Sequence, residues 1–399
     1  MVDKSLTPQF SSAPHDWKLI PLKRLMRVTS GTEVSVEVPQ SNDAVPVYGS
    51  GVKPFKYTNR SISAKAVVLF GRKGTLGQPF LVEPPFWAVD TAYIATPREN
   101  VELAYLYYLL KTFDWQPFIT NTAKPSLVAN DILPEKVPLP QHQGQVAILR
   151  YLDAKTAEID GLIEKLRREV ELLEQYRREL IARTVTRGLD PDAPMCDSGI
   201  EWIGEIPEAW ALLRISALYD IRSQKVNDTD YQPLSVTMNG VVAQLEHVAK
   251  TNDGDNRKLV RAGDFVINSR SDRRGACGIA PQDGSCSLIN IVLSPQQSIH
   301  NPYFSYLFRS SLFSDEFYRW GHGIHDDLWT TNWADMKSIQ VPVPPLNHQV
   351  LIADYLDKKM FEINSTVTGI NNQIELLGKY RKQVINDAVT GKIRVGKVA

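Results

Sequence analysis

The chain is poor in cysteine: three residues in 399, Cys196, Cys277 and Cys286, with no C-x-x-C pair among them. An odd, scattered set of this kind excludes a disulfide framework and a zinc knuckle. Long hydrophobic runs are also missing. Ala66–Phe70 and Ala104–Leu110 fall far short of the roughly 18 to 20 apolar residues that a membrane span needs. Met1–Phe10 is polar and interrupted by Pro8, without the apolar stretch of a secretory signal, which predicts a cytoplasmic protein. No charge of either sign is in excess, with 45 Lys and Arg against 45 Asp and Glu. A general phosphate-binding surface normally carries a basic surplus. Any affinity for nucleic acid must therefore come from local basic loops or from partners that bring positive charge.

What is present is the composition of a folded protein, with 43% hydrophobic and 23% charged residues. At 399 residues the chain exceeds one ordinary core and predicts two or three domains. Charge is unevenly spread. Residues 1–136 hold 15 basic and 12 acidic side chains, whereas 190–340 hold 13 and 20, so the second globular stretch is acidic.

An internal repeat organises the sequence. Val-Pro-Leu-Pro at 137–140 returns as Val-Pro-Val-Pro at 341–344, an offset of 341 − 137 = 204. No gap follows for 53 positions, and twenty residues recur unchanged, among them Gln145/Gln349, Tyr151/Tyr355, Asp153/Asp357, Tyr176/Tyr380 and Arg177/Arg381. Ordinary composition predicts roughly one match in fifteen by chance. The period is far too long for a solenoid, whose units run about 20 to 50 residues, and so implies duplication of a whole domain.

Within each copy apolar residues fall on a heptad. Leu149, Leu152, Ile159, Ile163, Leu166, Val170, Leu173 and Leu180 mark the first, with Thr156 and Arg177 as polar interruptions, and Leu356, Ile363, Val367, Ile370, Ile374, Leu377 and Val384 mark the second. This pattern predicts two long helices of coiled-coil type, from about Gln141 to Arg187 and from about Asn347 to Thr390. The first would span about 70 Å at 1.5 Å per residue. An apolar stripe on one helix normally means only packing against a core, but two registered copies predict that each seam buries the other, antiparallel. A second stripe, Ile148, Tyr151, Leu172 and Tyr176 with Ile352, Tyr355, Leu376 and Tyr380, exceeds what a two-helix seam requires and is free to cover the globular domains or a partner.

Upstream of each helix the duplication is fainter. Pro14-x-x-Trp17 is echoed by Pro207-x-x-Trp210, Arg72 by Arg270, and Asp131 by Asp335, at offsets of 193, 198 and 204. A growing offset is what loop insertions in one copy produce. Short β-rich runs at 66–70, 265–268 and 288–293 mix with helical stretches at 103–111 and 303–308, so the globular parts read as α+β.

The order of variable domain, repeated helix, variable domain, repeated helix resembles the specificity subunits of type I restriction-modification systems over essentially the whole chain. Gly188-Leu-Asp-Pro-Asp-Ala-Pro-Met195, followed by Asp197-Ser-Gly-Ile-Glu-Trp-Ile-Gly-Glu-Ile-Pro-Glu-Ala-Trp210, is similar to the family's link into a target-recognition domain. The Val-Pro-x-Pro lead-in to each helix, with Gln145-Val146-x-Ile148-x-x-Tyr151-Leu152-Asp153 and its copy from Gln349, is equally family-like. The resemblance implies target-recognition domains at 1–140 and 188–345, with spacer helices at 141–187 and within 346–399. It implies a DNA-reading subunit that is not itself an enzyme and needs no cofactor. Its partners would be double-stranded DNA, two methyltransferase subunits and the restriction/translocase subunits that carry the catalysis. Two similar readers about a two-fold axis suit half-sites about one helical turn, roughly 34 to 36 Å, apart. Because the domains differ, the site should be asymmetric, with its gap set by the coiled coil.

For base reading, Arg72, Lys73, Gly74 and Thr75 form a glycine-rich basic loop after a predicted strand. Arginine reads guanine edges, and lysine or backbone N–H groups hold phosphates. The alternative is a tight turn with solvated charges. In the second domain Asn268, Arg270, Arg273 and Arg274 occupy the corresponding place and make a denser cluster within acidic surroundings. Lys53, Lys56 and Tyr57 form a weaker candidate, for which ordinary surface is the favoured reading. Tyr151, Tyr176, Tyr355 and Tyr380 are the candidates for partner binding.

Other chemistry finds little support. Glu83-Pro-Pro-Phe86 imitates the Asn/Asp-Pro-Pro-aromatic motif of adenine methyltransferases, but Glu stands at the key position and no glycine-rich cofactor motif precedes it. Gly71–Gly77 lacks the terminal Gly-Lys-Ser/Thr of a P-loop. His322-Gly-Ile-His325-Asp-Asp327 reads as a polar loop, since glycine breaks the helix that would align two metal-binding histidines. A coiled-coil scaffold that bridges proteins without DNA would share the helices, yet it would not need matched, divergent domains with basic glycine loops. A self-sufficient restriction or methylation enzyme would need motifs that the sequence lacks.

Overall fold

A computed structural model describes residues 10, 13–120, 122–244, 254–296, 299–323 and 329–395. The chain divides into two units. Unit one is Met1–Arg167 together with Asn372–Ala399, and unit two is Arg168–Asn371.

Two helices dominate the sequence, His142–Arg187 with 46 residues and Leu346–Val389 with 44, and each contributes to both units. Prolines at 140, 344 and 345 precede them, in keeping with the exclusion of proline from helix interiors. Each ends on a glycine in the left-handed region, Gly188 at φ +75° and Gly391 at φ +77°, where a side chain would be strained. Trp210 lies against the first of these and Trp17 with Pro14 against the second.

Unit one holds a four-stranded antiparallel sheet in the order Met26–Ser30, Ala92–Pro97, Val67–Gly71, Phe80–Val82. Unit two repeats it as Tyr219–Ile221, Asn290–Pro295, Phe265–Asn268, Cys277–Ile279. The central strand of each is wholly buried because it separates two cores, and successive side chains point to opposite faces. Val68 and Phe70 enter the core shared with the long helices, and Val67 and Leu69 enter a smaller one with Phe86. In unit two Phe265 and Ile267 take the first role and Val266 the second. Helix Leu103–Thr112 buries Tyr105, Leu106, Leu109 and Leu110, and helix Asn301–Arg309 buries Tyr303, Phe304, Leu307 and Phe308, the same one-face spacing at an offset of 198.

A buried glutamine fastens each long helix to its unit. The Gln145 side-chain oxygen accepts from the Glu102 amide at 2.9 Å, and its Nε2 donates to the Asn100 and Pro140 carbonyls at 2.9 and 3.3 Å. Gln349 accepts from the His300 amide and donates to the Pro344 carbonyl, both at 2.8 Å. A tyrosine completes the joint. Tyr105 Oη lies 3.1 Å from the Pro138 carbonyl and 3.4 Å from that of Val389, and Tyr303 Oη lies 2.8 Å from the carbonyl of Val185 and 3.4 Å from that of Pro342.

Thr156, a polar interruption of the heptad, is buried with its hydroxyl on the Leu152 carbonyl at 2.7 Å. Between the helices, Arg381 meets Asp160 in unit one, and Arg177 donates to Asn364 in unit two. The strand expected at 288–293 runs instead from Asn290 to Pro295, because the Asn290 amide closes a turn onto the Ser287 carbonyl. Unit two also carries a hairpin, Met195–Asp197 with Glu205–Pro207, and a further helix, Ser311–Arg319, which buries Phe313, Phe317 and Tyr318 and lies outside the expected helical stretches. No helix among the described residues is long and apolar enough to cross a membrane.

Candidate nucleic-acid interface

The loop after strand Val67–Gly71 is held by its own backbone. A side chain at Gly71 would strike the Thr75 carbonyl, and Gly74 sits at φ +81°, so only glycine suits either place. The Thr75 amide donates to Ser50 Oγ at 3.2 Å. Arg72 is half-buried. Its amide donates to the Thr91 carbonyl at 2.8 Å, and its guanidinium lies over the Tyr93 ring at 5.8 Å and 3.5 Å from the Asp90 carbonyl. Lys73, Gly74 and Thr75 are exposed, with the Lys73 ammonium 3.6 Å from the Asp90 carboxylate. The loop thus offers one braced guanidinium and three accessible residues, including peptide groups.

In unit two the loop after strand Phe265–Asn268 is built differently. Asn268 is 5% exposed. Its side-chain oxygen accepts from the Arg270 amide at 3.0 Å, and its backbone carbonyl accepts from the Tyr318 hydroxyl at 3.1 Å. Expected among the surface residues, Asn268 is instead a buried support for the turn. The Ser271 amide donates to the Trp329 carbonyl at 2.9 Å, and Arg270, Arg273 and Arg274 project into solvent. Arg274 stacks on the Tyr318 ring at 5.3 Å, with Asp315 at 3.8 Å. Elsewhere in this acidic unit some cations sit on carboxylates, as in Arg222 on the buried Asp264 at 2.6 Å and Arg261 on Asp283. Hydrogen bonding to Asp264 raises the Arg222 pKa above its ordinary value. Among the described residues no ion pair engages Arg270 or Arg273. Arg273, Arg274, Val236 and Met238 line an open groove of about 550 Å³.

The aromatic stripe of the long helices splits by burial. Ile148 and Ile352, both 2% exposed, join the cores. Leu172, Tyr176, Leu376 and Tyr380 are exposed, and Tyr151 and Tyr355 are half-buried. In unit one the Lys155 ammonium, bonded to Glu158, has its pKa raised chiefly by that carboxylate and further by Tyr380 and Tyr151. In unit two Lys359 stands in the same relation to Glu362, Tyr355 and Tyr176. Each unit therefore gathers one tyrosine from each long helix beside a Lys–Glu pair.

One of the motifs set aside has a packing role. Phe86 fills the smaller core of unit one beside Val67 and Leu69, so Glu83–Phe86 is a packing turn. His322 lies 3.4 Å from Asp335, while His325 and Asp327 lie outside the described residues. No group of three or more potential metal ligands occurs among the described residues.

Comparison with known proteins agrees with the doubled architecture. The family model described as type I restriction modification DNA specificity domain matches residues 14–172 and again 215–376. The type I restriction enzyme MjaVIII specificity subunit of Methanocaldococcus jannaschii is 21% identical, over 96% of this chain and 94% of its own. The EcoDI specificity subunit of Escherichia coli is 19% identical, over 95% and 89%. Among solved structures, an HsdS subunit from Thermoanaerobacter tengcongensis shares the fold with a TM-score of 0.54 at 16% identity, covering 96% of this chain and 98% of that one. A chain from work on assembly and conformational transition of the type I R-M system gives a TM-score of 0.60 at 17% identity, covering 96% and 100%. With both copies of the domain present and the match extending over most of its length, the chain belongs to the family of type I restriction-modification DNA specificity proteins.

Proposed function

We propose that this chain is the non-catalytic, sequence-reading subunit of a type I restriction-modification complex, in which each unit reads one half of an asymmetric, bipartite site in double-stranded DNA. The observation that carries this reading is one scaffold bearing two unlike loops. The sheet order, the buried glutamine and the tyrosine joint recur at offsets of 198 and 204, while Arg72–Thr75 and Asn268–Arg274 differ in length, charge and bracing. A shared frame with different contact surfaces suits two different half-sites.

Arg270, Arg273 and Arg274 are assigned to bases or phosphates in unit two, with Asn268 as a positioning residue. In unit one Lys73, Gly74 and Thr75 make contact and Arg72 is held ready by Tyr93. The long helices form an antiparallel coiled coil with pseudo-two-fold symmetry that fixes the spacer. In support, between the two cross-helix pairs, 160 with 381 and 177 with 364, one number rises as the other falls, with a constant sum of 541. Tyr151 with Tyr380 and Tyr355 with Tyr176 are equivalent docking points for two methyltransferase subunits. The restriction/translocase subunits join that assembly, in the cytoplasm where the DNA is.

Mapping methylated adenines in host cells with and without this gene tests the assignment. A bipartite motif should vanish on deletion, and an unchanged methylome would overturn the reading. Y176A combined with Y355A should abolish co-purification of one methyltransferase copy.

A further inference from the structure

Outside the long helices, the most exposed large apolar side chains among the described residues are Val52 at 64%, Met238 at 63% and Phe55 at 55%. All three lie on turns packed against the basic loops. In unit one, Ser50 Oγ accepts from the Thr75 amide at 3.2 Å, and Gly49 and Phe55 lie side by side on the same turn. In unit two, Leu234–Thr237 and Gly240–Ala243 form a two-stranded ribbon with Met238 and Asn239 at its tip. The tip is fixed in place. Thr237 Oγ1 accepts from the Asn239 amide at 3.1 Å and donates to the Gly240 carbonyl at 2.9 Å, and Arg309 donates to the Met238 carbonyl at 3.2 Å. The Met238 methyl stands about one van der Waals contact from Gly275, where a side chain's Cβ would lie 3.4 Å away. Met238 shares the groove with Arg273 and Arg274.

A two-stranded ribbon is of a size to enter the major groove of B-DNA, and the apolar feature displayed there is the 5-methyl group of thymine. We propose that Met238 is a specificity-determining residue, which covers the methyl group of one thymine in the half-site of unit two while Arg273 and Arg274 hold the flanking phosphates or base edges. The inference rests on the DNA-reading role above. It is favoured by charge complementarity, because the same groove pairs Arg273, a cation that no ion pair engages among the described residues, with the exposed side chain, and by the recurrence of an apolar turn beside the basic loop in unit one.

The test uses the full chain with its methyltransferase partner, on duplexes carrying the site defined by methylation mapping. Each thymine of the unit-two half-site is replaced in turn by deoxyuridine, which lacks only the methyl. The native complex should bind about fourfold more weakly at one such position, the scale of one buried methyl group. M238A should lose the same factor on the thymine duplex and become indifferent to the exchange, M238L should retain discrimination, and preference at the other half-site should persist as the measure of intact folding. Discrimination retained by M238A, equal weakening on every duplex, or no sensitive thymine in the native complex would overturn the proposal. Loss of all sequence preference in the native complex would overturn the reader assignment itself, which separates the two failures.

Discussion

The guanidinium of Arg381 lies on the carboxylate of Asp160 through two parallel hydrogen bonds, Nε at 2.8 Å and Nη2 at 3.0 Å. Shifted by the repeat of 204, these positions become Arg177 and Asn364, which also meet, though through a single bond from Nη2. Arg177 Nε is buried without a partner among the described residues. The two copies share the pairing, with a carboxylate in one and an amide in the other.

Placing a carboxylate at position 364 should stabilise the protein. N364D gives Arg177 a second oxygen for its idle Nε, re-creating the Asp160–Arg381 fork. The gain should be about 0.5 to 1 kcal/mol, the range of partly exposed pairs, and a double-mutant cycle with R177A in urea unfolding measures it.

The two buried glutamines should act locally. Q349A strands the His300 amide and the Pro344 carbonyl and should cost about 1 to 3 kcal/mol. Amide exchange should accelerate in helix Asn301–Arg309 and remain unchanged in Leu103–Thr112, and Q145A should give the opposite pattern.

Alkali should unfold unit two before thiol reagents reach its cysteines. Burial pushes Cys277 up to about 12 and Cys286 up to about 11, whereas unfolded thiols titrate near ~8.5. Both raised values mean that the stability is complete below the unfolded value and is lost as pH rises towards 11 and 12. The loss should reach about 2 kcal/mol for each thiol by about pH 10. C277A/C286A should flatten this slope, and Ellman's reagent at neutral pH should find one fast thiol, the exposed Cys196.

On DNA, R273A should weaken binding to all sequences and lower the salt slope by about one. N268A removes no charge, so its slope should hold while preference for the cognate half-site falls as the loop loosens. Titrations of both variants across salt concentration check the distinction.

The long helices were legible because a heptad seam is a local pattern, and the central strands because an apolar run of five or so residues between turns allows little else. The equivalent residues of the two helices could be matched through the constant offset. Less visible were features decided by distant contacts. Arg72 and Arg270 look alike in sequence, yet Tyr93 braces only the first. Asn268 looks like a surface amide but turns inward to hold Arg270, and the break between two successive helices falls at Ser310, whose hydroxyl accepts from the Phe313 amide and starts the second. Met238 stands out only when its exposure is known.

The division of the long helices between units also sets an order of synthesis. Unit two is one continuous stretch and is complete once residue 371 has left the ribosome. Unit one is not, because Val384, Ile385, Ala388 and Val389 belong to its core. At about 5 to 20 residues per second, the nascent first unit waits on the order of ten to forty-five seconds with an open apolar surface before its last helix arrives. A premature stop codon near the end of the gene would therefore cripple the part of the protein made first and spare the part made later.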